Sequence, residues 1–325
     1  MSGNPLVELK RVSRHFQLDR ALFGSRRTVR AIDDVSLAIG AGETVALVGE
    51  SGSGKTTLGR LALRLIAPTA GSVRFDGHDL GAIGPRALRL LRRQLQMIFP
   101  DPHSSLDPRQ TVGAVLSEPF LIQRLARSRR ACSDRVAHLL ATVGLLAEHA
   151  ERYPHELSGG QRQRVAIARA LALEPRFVVA DEPVSSLDAL TQAQIVALLA
   201  DLQQRERLAL LFISHDLRLV RRIAARVAVL YLGAIVELSP TARFYEEPLH
   251  PYSRALLAAT PLLDVARSRR SLPLLGEPAS AANIPAGCSF HPRCPVEDKT
   301  QACFSEVPPL REARSGRFVA CHLAS

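Results

Sequence analysis

The pattern of hydrophobic and polar positions predicts an α/β protein. Alternating and β-branched residues at 6–16 and 29–39 indicate two strands at the amino terminus, joined by a basic, irregular loop. Helical spacing from Lys55 to Ile66 is ended by Pro68, and other helical stretches follow. Short apolar runs typical of buried strands occur at 44–48, 72–75, 95–99, 177–180, 208–213 and 226–231. We therefore expect a mostly parallel sheet with helices on both faces, after an N-terminal antiparallel β part.

Two departures from this alternation divide the chain. Residues from 108 to about 173 are almost purely helical in pattern, which predicts a helical insertion in the sheet domain. Beyond Pro240 the chain becomes rich in proline and cysteine, and the regular alternation stops. We expect one main domain at 1–245 and a C-terminal appendage with a cysteine cluster at 246–325.

Composition narrows the class of protein. Of 325 residues, 46% are hydrophobic and 22% charged, which is typical of a globular protein. No apolar run approaches the roughly 18 to 20 residues that span a bilayer, and the amino terminus lacks a signal-peptide pattern, so we expect a cytoplasmic chain. The net charge of +11 indicates an anionic partner. Arginine clusters at 86–93 and 124–135 lack interleaved aromatics, so solvated helix faces are favoured and no nucleic acid is expected.

A glycine-rich loop carries the strongest chemical signal. Residues 49–56 read Gly-Glu-Ser-Gly-Ser-Gly-Lys-Thr and match G-x-x-x-x-G-K-[ST] between a predicted strand and a predicted helix, as in a P-loop ATPase core. Backbone N–H groups of such a loop converge on phosphate oxygens at a helix start. Lys55 supplies a compact cation, and Thr56 is expected to ligate Mg²⁺. The residues predicted to bind ATP here are Gly49, Glu50, Ser51, Gly52, Ser53, Gly54, Lys55, Thr56 and Thr57.

Two carboxylates end the apolar run at 177–180. Asp181 is expected to hold Mg²⁺ through water, and Glu182 to polarise an attacking water. The alternative is an acid pair in a solvated turn.

The segment Ser158, Gly159, Gly160 and Gln161 precedes a predicted helix at 162–173. Its S-x-x-Q pattern predicts a capping box, which needs no ligand. The same helix start, with two glycines, is also suited to a phosphate carried by another subunit, and both interpretations stay open. His215, which follows the run at 208–213, is by itself typical of a turn histidine.

Together these residues resemble the ATP-binding-cassette ATPases over roughly residues 6–245. The phosphate loop, the LSGGQ signature at 157–161, the acid pair, residues 185–188 and His215 occur in the family's order. The resemblance implies that two cassettes pack head to tail, so that Ser158 to Gln161 serve the partner's nucleotide. It further implies catalytic roles for Glu182 and His215, a nucleotide-binding role for Asp188, and stacking of Phe16 on adenine. Phe16 alone is equally compatible with a core aromatic.

The C-terminal region narrows the resemblance to the ATPases of oligopeptide and dipeptide importers. The residues that carry it are Pro248-Leu249-His250-Pro251-Tyr252, Ala255-Leu256-Leu257, Pro261, Gly287-Cys288-Ser289-Phe290 and Arg293-Cys294. This resemblance implies ATP-driven peptide import at the cytoplasmic face of the inner membrane. It implies a second cassette subunit on a different chain, two transmembrane permease subunits and an extracytoplasmic peptide-binding protein. Nickel and other small solutes stay open as cargo.

Cys288, Cys294, Cys303 and Cys321 cluster near the carboxyl end. A cytoplasmic chain rarely carries structural disulfides, so clustered thiols indicate metal, although their spacing does not separate zinc from iron–sulfur. The importer resemblance implies a [4Fe–4S] cluster, with Zn²⁺ second and free thiols as the remaining alternative. Cys132 stands apart and is expected to be a small buried apolar residue.

Pro100 departs from the family pattern, which has glutamine after the strand that ends at Phe99. Proline offers neither a side-chain oxygen nor an N–H donor. Gln94 and Gln96 belong to the incoming strand and are not expected to replace it. The hypothesis is that this subunit binds ATP but hydrolyses it poorly at its own loop, while its signature supports the partner's site.

Two other functional classes are compatible with a cassette. One is a cassette protein of DNA repair or translation, but two cassettes in one chain or a long coiled-coil insertion are then expected, and the sequence predicts neither. The other is an iron–sulfur redox sensor for which ATP is secondary.

Overall fold

The computed structural model describes residues 4–18, 27–101, 105–260 and 280–324. Pro261, one of the residues that carry the resemblance to importer ATPases, lies outside the described residues. The chain divides into two compact units. The first comprises 1–40, 44–82 and 212–325, and the second comprises 41–43 and 83–211. The predicted division into 1–245 and 246–325 stays a prediction.

The regular elements follow the alternation that the sequence predicts. The strands are β1 Val7–Leu18, β2 Arg27–Ile39, β3 Thr44–Val48, β4 Ala70–Phe75, β5 His78–Asp79, β6 Leu95–Ile98, β7 Phe177–Asp181, β8 Ala209–Ile213, β9 Arg226–Tyr231, β10 Ala234–Pro240, β11 Arg311–Arg314 and β12 Arg317–Val319. The helices are α1 Lys55–Ala62, α2 Pro85–Leu91, α3 Val112–Ile122, α4 Ser133–Thr142, α5 Gly159–Leu171, α6 Ala189–Arg205, α7 Leu217–Ile223, α8 Thr241–Glu246, α9 Pro251–Ala258 and α10 Ala302–Ser305. No helix of the described residues is long and apolar enough to cross a bilayer.

The first unit contains an antiparallel sheet in the order β2-β1-β4-β5, so the predicted antiparallel part is confirmed. Val7 of β1 lies opposite Ile39 of β2 and Phe75 of β4. The strand at 70–75 therefore belongs to this sheet and not to the parallel one. Its burial alternates, with Val73 and Phe75 buried and Arg74 exposed, as expected where only one face of a sheet is covered.

The first unit also contains strands in the order β11-β12-β10-β9-β3. Strand β3 is parallel to β9, and all five of its residues are buried, which is typical of a strand covered on both faces. Strand β10 runs antiparallel to β9, and β12 pairs with β10. The carboxyl end of the predicted appendage thus adds strands to this sheet, which the sequence pattern did not indicate.

The second unit contains the strand order β8-β7-β6, with β6 parallel to β7. The boundary between the units falls within β8, between Leu211 and Phe212. All regular structure in the described residues from 105 to 173 is helical, as the sequence predicts. Helix α1 of the first unit is shorter than predicted, because Arg64 adopts a left-handed φ of 54° just beyond its end.

A buried carboxylate joins the start of the appendage to β10. Glu237 is fully buried and accepts hydrogen bonds from the backbone N–H groups of Leu249 and His250, at 3.1 and 2.8 Å, and from the hydroxyl of Ser239 at 3.1 Å. Burial lowers the pKa of His250 to about 3, so its neutral ring accepts the N–H of Tyr252 at 3.0 Å and caps α9. These contacts fix the direction in which the chain leaves the sheet.

Replacing Glu237 by glutamine is expected to lower the free energy of unfolding by about 2 kcal/mol, because a buried amide donor then faces backbone donors. Urea denaturation of the full chain measures this loss. The control is Glu246→Gln, which alters an exposed ion pair with Arg243 and is expected to change stability by less than about 0.5 kcal/mol. Equal effects of the two substitutions would contradict the assigned role of Glu237.

Candidate functional site

The loop between β3 and α1 has a backbone that only glycine can adopt. The φ angles of Gly49, Gly52 and Gly54 are 152°, 79° and 105°. A Cβ at Gly49 would lie 2.2 Å from the carbonyl oxygen of Leu230, and one at Gly54 would lie 2.3 Å from that of Ala31. At Gly52 no described atom lies within 4 Å, so only its positive φ favours glycine there. The loop therefore packs directly against the backbone of β9 and β2.

Lys55 is held inside this loop. Its side chain is 6% exposed, and its Nζ donates to the carbonyl oxygens of Gly49 and Glu50, each at 2.8 Å. Helix α1 starts at Lys55 with Gly54 as N-cap, and no described side chain caps it. This helix start and the buried ammonium suit an anionic group with several oxygens. Thr56 and Thr57 follow in the first turn, both half-buried.

Glu50 of the loop contacts the appendage, which sequence reasoning missed. Its backbone N–H donates to the hydroxyl oxygen of Tyr252 at 2.9 Å. Its carboxylate accepts two hydrogen bonds from Arg293, at 2.8 and 3.0 Å. The only signal in the sequence was that Tyr252 and Arg293 lie in segments that resemble the importer ATPases.

In the second unit, Asp181 ends β7 and is buried. Glu182 follows with a left-handed φ of 45°, a conformation that costs a non-glycine residue roughly 1 kcal/mol or more. Its carbonyl oxygen accepts from the backbone N–H of Ser185 at 3.3 Å and from the Ser185 hydroxyl at 3.2 Å. The acid pair thus sits in a tightly bonded turn at a strand end, and its roles with magnesium and water stay predictions.

The predicted capping box at the start of α5 is confirmed. Ser158 Oγ accepts from the N–H of Gln161 at 3.2 Å, and Gln161 Oε1 accepts from the N–H of Ser158 at 2.9 Å. The two glycines lie against the segment from Leu187 to Thr191. A Cβ at Gly160 would come within 2.6 Å of Thr191 Cγ2, and one at Gly159 within 3.1 Å of Leu187 Cδ2.

Asp188 lies in that same segment and caps α6. Its carboxylate accepts from the N–H of Leu190 at 3.1 Å and from the N–H and hydroxyl of Thr191 at 3.0 and 2.6 Å. These bonds, the Thr191 hydroxyl first, lower the pKa of the exposed Asp188 carboxyl. The second unit therefore brings the signature glycines and Asp188 together through Thr191. The role predicted for the signature, binding of a partner cassette's nucleotide, stays a prediction.

Phe16 and His215, both in the first unit, are surface residues. The Phe16 ring is 36% exposed, with the Arg14 guanidinium 4.6 Å from its centroid, so it is not a core aromatic. His215 is exposed and directly precedes Asp216, which caps α7. Both positions are compatible with the predicted roles, which stay predictions.

Pro100 follows β6 in the second unit and is exposed. Gln96 donates through Nε2 to the carbonyl oxygen of Arg92 at 2.6 Å. Its side chain is therefore bonded back to the end of the preceding helix, and Gln94 lies before the strand. The expectation that neither replaces the glutamine missing at 100 agrees with these positions.

The four clustered cysteines line one small cavity, together with Phe290 and His291. We call this the cysteine cavity; its thiols are those of Cys288, Cys294, Cys303 and Cys321. Burial raises the pKa of Cys288 to about 11, and that of Cys294 is also raised, with smaller contributions from the neighbouring thiols. In the described part of the chain, no group of three or more His, Cys, Asp or Glu residues is placed to hold a metal ion. Cys132 is buried elsewhere, as expected.

Two family models match the chain. Residues 32–185 match the ABC transporter model, and residues 236–303 match the model of the oligopeptide/dipeptide transporter C-terminal region. The first match contains the phosphate loop, the signature and the acid pair. The second contains three of the four thiols of the cysteine cavity.

Full-length relatives extend these matches. The chain is 50% identical to a probable peptide ABC transporter ATP-binding protein, y4tS of Sinorhizobium fredii, over 99% of this chain and 90% of that protein. It is 45% identical to the oligopeptide transport ATP-binding protein AppF of Bacillus subtilis, over 98% of each. A solved dimeric, post-hydrolysis structure of the ATP-binding cassette MJ0796 with ADP and Pi superposes with a TM-score of 0.63 at 31% identity, over 72% of this chain and 98% of that one. On its motifs, its fold and these relatives, the chain belongs to the ATP-binding-cassette family of transporter ATPases.

Proposed function

We propose that this chain is the nucleotide-binding subunit that powers a transporter importing short peptides, with ATP hydrolysis as a property of a cassette pair. The observation that carries the proposal is the presence, in one chain, of the phosphate loop and of a C-terminal region that matches the oligopeptide/dipeptide transporter model. Relatives named for peptide transport share both parts over nearly their whole length. The alternative of a DNA-repair or translation cassette has no comparable support.

The phosphate loop fits ATP with Mg²⁺. Its glycines allow the backbone conformation of a phosphate loop, and Lys55 and the start of α1, which has no side-chain cap, supply positive charge. Thr56 in the loop and Asp181 at the end of β7 are the proposed magnesium ligands. When bound, magnesium neutralises charge on the phosphates. Phe16 offers an exposed ring on which adenine can stack.

The remaining site residues act on water or on a second nucleotide. Glu182 accepts a proton from the attacking water, for which a half-buried carboxylate at a strand end is suited. His215 contacts the terminal phosphate. Asp188 and the signature, which Thr191 brings together, face the nucleotide of a second cassette. A cassette pair of this kind places the chain at the cytoplasmic face of the membrane, beside two permease subunits and with an extracytoplasmic binding protein.

Substitution of Lys55 by alanine is expected to weaken binding of a fluorescent ATP analogue by about 100-fold, because a charge-assisted phosphate contact is lost. The control is Lys10→Ala, since Lys10 is exposed and pairs only with Glu8 among the contacts described for it. Fluorescence titration of the full chain measures both. Unchanged affinity in Lys55→Ala would show that nucleotide does not bind at this loop.

Import itself is tested with the permeases and the second cassette in proteoliposomes. ATP-dependent uptake of a labelled tripeptide is expected with the natural chain and with Lys10→Ala, and its loss with Lys55→Ala. Uptake of labelled nickel without uptake of peptide would show that the cargo is nickel and not peptide. Failure of the chain to co-purify with any permease in detergent would favour the DNA-repair or translation class.

Pro100 leads us to propose that hydrolysis at this chain's own loop is slow. The supporting observation is that no side-chain amide stands at position 100, while Gln96 is bonded to the backbone of Arg92. The partner cassette then contributes most of the turnover.

We expect Pro100→Gln to raise ATP turnover at this site at least about tenfold, because a glutamine oxygen and amide can hold water and magnesium. Turnover is measured in the assembled transporter after the partner's phosphate-loop lysine has been replaced by alanine, so that only this site contributes. Pro100→Ala, which relieves the proline ring without adding a polar group, serves as control. An unchanged rate in Pro100→Gln would refute the proposal.

We further propose that the cysteine cavity holds a [4Fe–4S] cluster, with Zn²⁺ as the second choice. Its support is that four thiols line one cavity, although the described structure does not place them to hold a metal ion, and that residues 236–303 match the importer C-terminal region. Burial raises the pKa of the Cys288 thiol, so a cationic centre is needed to make it a thiolate at neutral pH.

Anaerobically purified protein is expected to contain about four iron and four sulfide ions per chain, and Cys288→Ser to lose them. Cys132→Ser is the matched control, because Cys132 lies outside the cavity. About one zinc per chain without sulfide would identify the second choice. Four freely titrating thiols with neither metal would overturn both. Normal transport by Cys288→Ser would also remove the redox-sensor alternative.

A further inference from the structure

Two residues of the appendage contact the phosphate loop at one position, Glu50. We propose that Arg293 and Tyr252 are positioning residues for the loop, through which the cysteine cavity and the nucleotide site affect one another. The inference rests on the proposed binding of nucleotide at Gly49 to Thr57. It does not depend on which metal, if any, the cavity holds.

Each polar group of Glu50 is engaged. The backbone N–H donates to Tyr252, the backbone carbonyl accepts from Lys55 Nζ at 2.8 Å, and the carboxylate is paired with both terminal nitrogens of Arg293. Lys55 is the residue expected to reach the phosphates. The appendage therefore holds the same loop residue that orients the phosphate-binding lysine.

Arg293 is in turn held by the walls of the cysteine cavity. It ends a short turn at 291–293, in which its N–H donates to the carbonyl oxygen of Phe290 at 3.0 Å. Cys294, the next residue, lines the cavity, as do Phe290 and His291. The Arg293 side chain is only 7% exposed, so its guanidinium has little freedom to follow Glu50 if these walls move.

Tyr252 is fixed by aromatic packing. Its ring lies 4.7 Å from that of Tyr231 at the end of β9 and 5.3 Å from that of Phe290. The Phe290 ring also packs edge-on against Tyr231, at 5.3 Å. Phe290 thus touches the residue that holds the Glu50 N–H and borders the thiols. A change in the cavity reaches the loop by both routes.

The ion pair has an electrostatic consequence for nucleotide binding. A carboxylate in the second position of a phosphate loop opposes an anionic ligand unless its charge is offset. The bidentate guanidinium offsets it at 2.8 and 3.0 Å. Because a buried pair contributes little net stability compared with apolar side chains of similar size, its presence is better explained by this local charge requirement than by the fold alone.

The test uses the full chain and magnesium with a fluorescent ATP analogue. Arg293→Gln is expected to weaken analogue affinity about tenfold, because the Glu50 charge is then uncompensated. The double substitution Arg293→Gln with Glu50→Gln is expected to recover most of that loss, since the repelling charge is removed as well. A residue with a purely structural role would not be rescued in this way.

A matched control is Arg314→Gln, which removes an exposed arginine of the appendage that pairs with Glu247. Its analogue affinity is expected to equal that of the natural chain. Tyr252→Phe removes one hydroxyl while keeping the ring and is expected to weaken affinity about threefold. It tests the proposal independently if Arg293→Gln does not fold.

A second readout follows alkylation of the four cavity cysteines by mass spectrometry; where the cavity holds a metal, the alkylation rate reports release of the thiolates from it. Coupling between two sites is reciprocal, so bound analogue is expected to slow alkylation about threefold in the natural chain and to have no effect in Arg293→Gln. The proposal is overturned if Arg293→Gln and Tyr252→Phe keep natural affinity, if Glu50→Gln gives no rescue, or if analogue protects the thiols equally in both chains. If Lys55→Ala also binds normally, the proposed nucleotide site itself has failed.

Discussion

The close approach of the phosphate loop to neighbouring backbone is the constraint on which the first unit depends. The carbonyl oxygens of Leu230 and Ala31 occupy the space that a Cβ at Gly49 or Gly54 would need. Any side chain at either glycine would push the loop away from the strands that support it. With the loop in this position, Lys55 at the start of α1 is buried against two of the loop's carbonyl oxygens. Strand pairing and phosphate chemistry are therefore parts of one arrangement.

Buried polar groups attach the appendage to the sheet and to the phosphate loop. Glu237 on β10 receives the N–H groups at the start of the appendage, and His250 caps the next helix. Two residues further along, Tyr252 reaches the loop, and Arg293 reaches it from the side of the thiols. Buried polar atoms are tolerated only where they are paired, so these contacts restrict the appendage to one position on the first unit.

In the second unit, residues with a structural role are the same ones that we propose to contact the nucleotide of a second cassette. Ser158 and Gln161 form a capping box, and Gly160 is required because Thr191 leaves no space for a Cβ. Thr191 is also the residue that orders Asp188. A capped, closely packed helix start is a rigid one, and rigidity is what a shared phosphate site needs. The structural and functional interpretations of this segment are therefore compatible.

Short stretches of sequence were sufficient to predict several strands and two motifs of this structure. The runs at 44–48 and 226–231 match β3 and β9 residue for residue, because buried strands require unbroken apolar sequence. The phosphate loop and the capping box could be identified in the sequence because each depends on residues only a few positions apart. A short apolar run does not specify which strand it pairs with. Pairing with distant segments decided that β4 belongs to the antiparallel sheet and that β10 and β12 extend the other sheet.

The same limit applies to the site. The motif alone predicted which residues bind phosphate, but the partners of Glu50 lie 202 and 243 positions away in the chain. No periodicity or spacing relates residues so far apart. The clustering of the four cysteines in the sequence predicted that they lie together, but it did not predict a cavity that they share with Phe290 and His291. Only the tertiary structure decided that the cysteine-rich region lies against the phosphate loop, because that contact comes from packing across the sheet and not from local sequence.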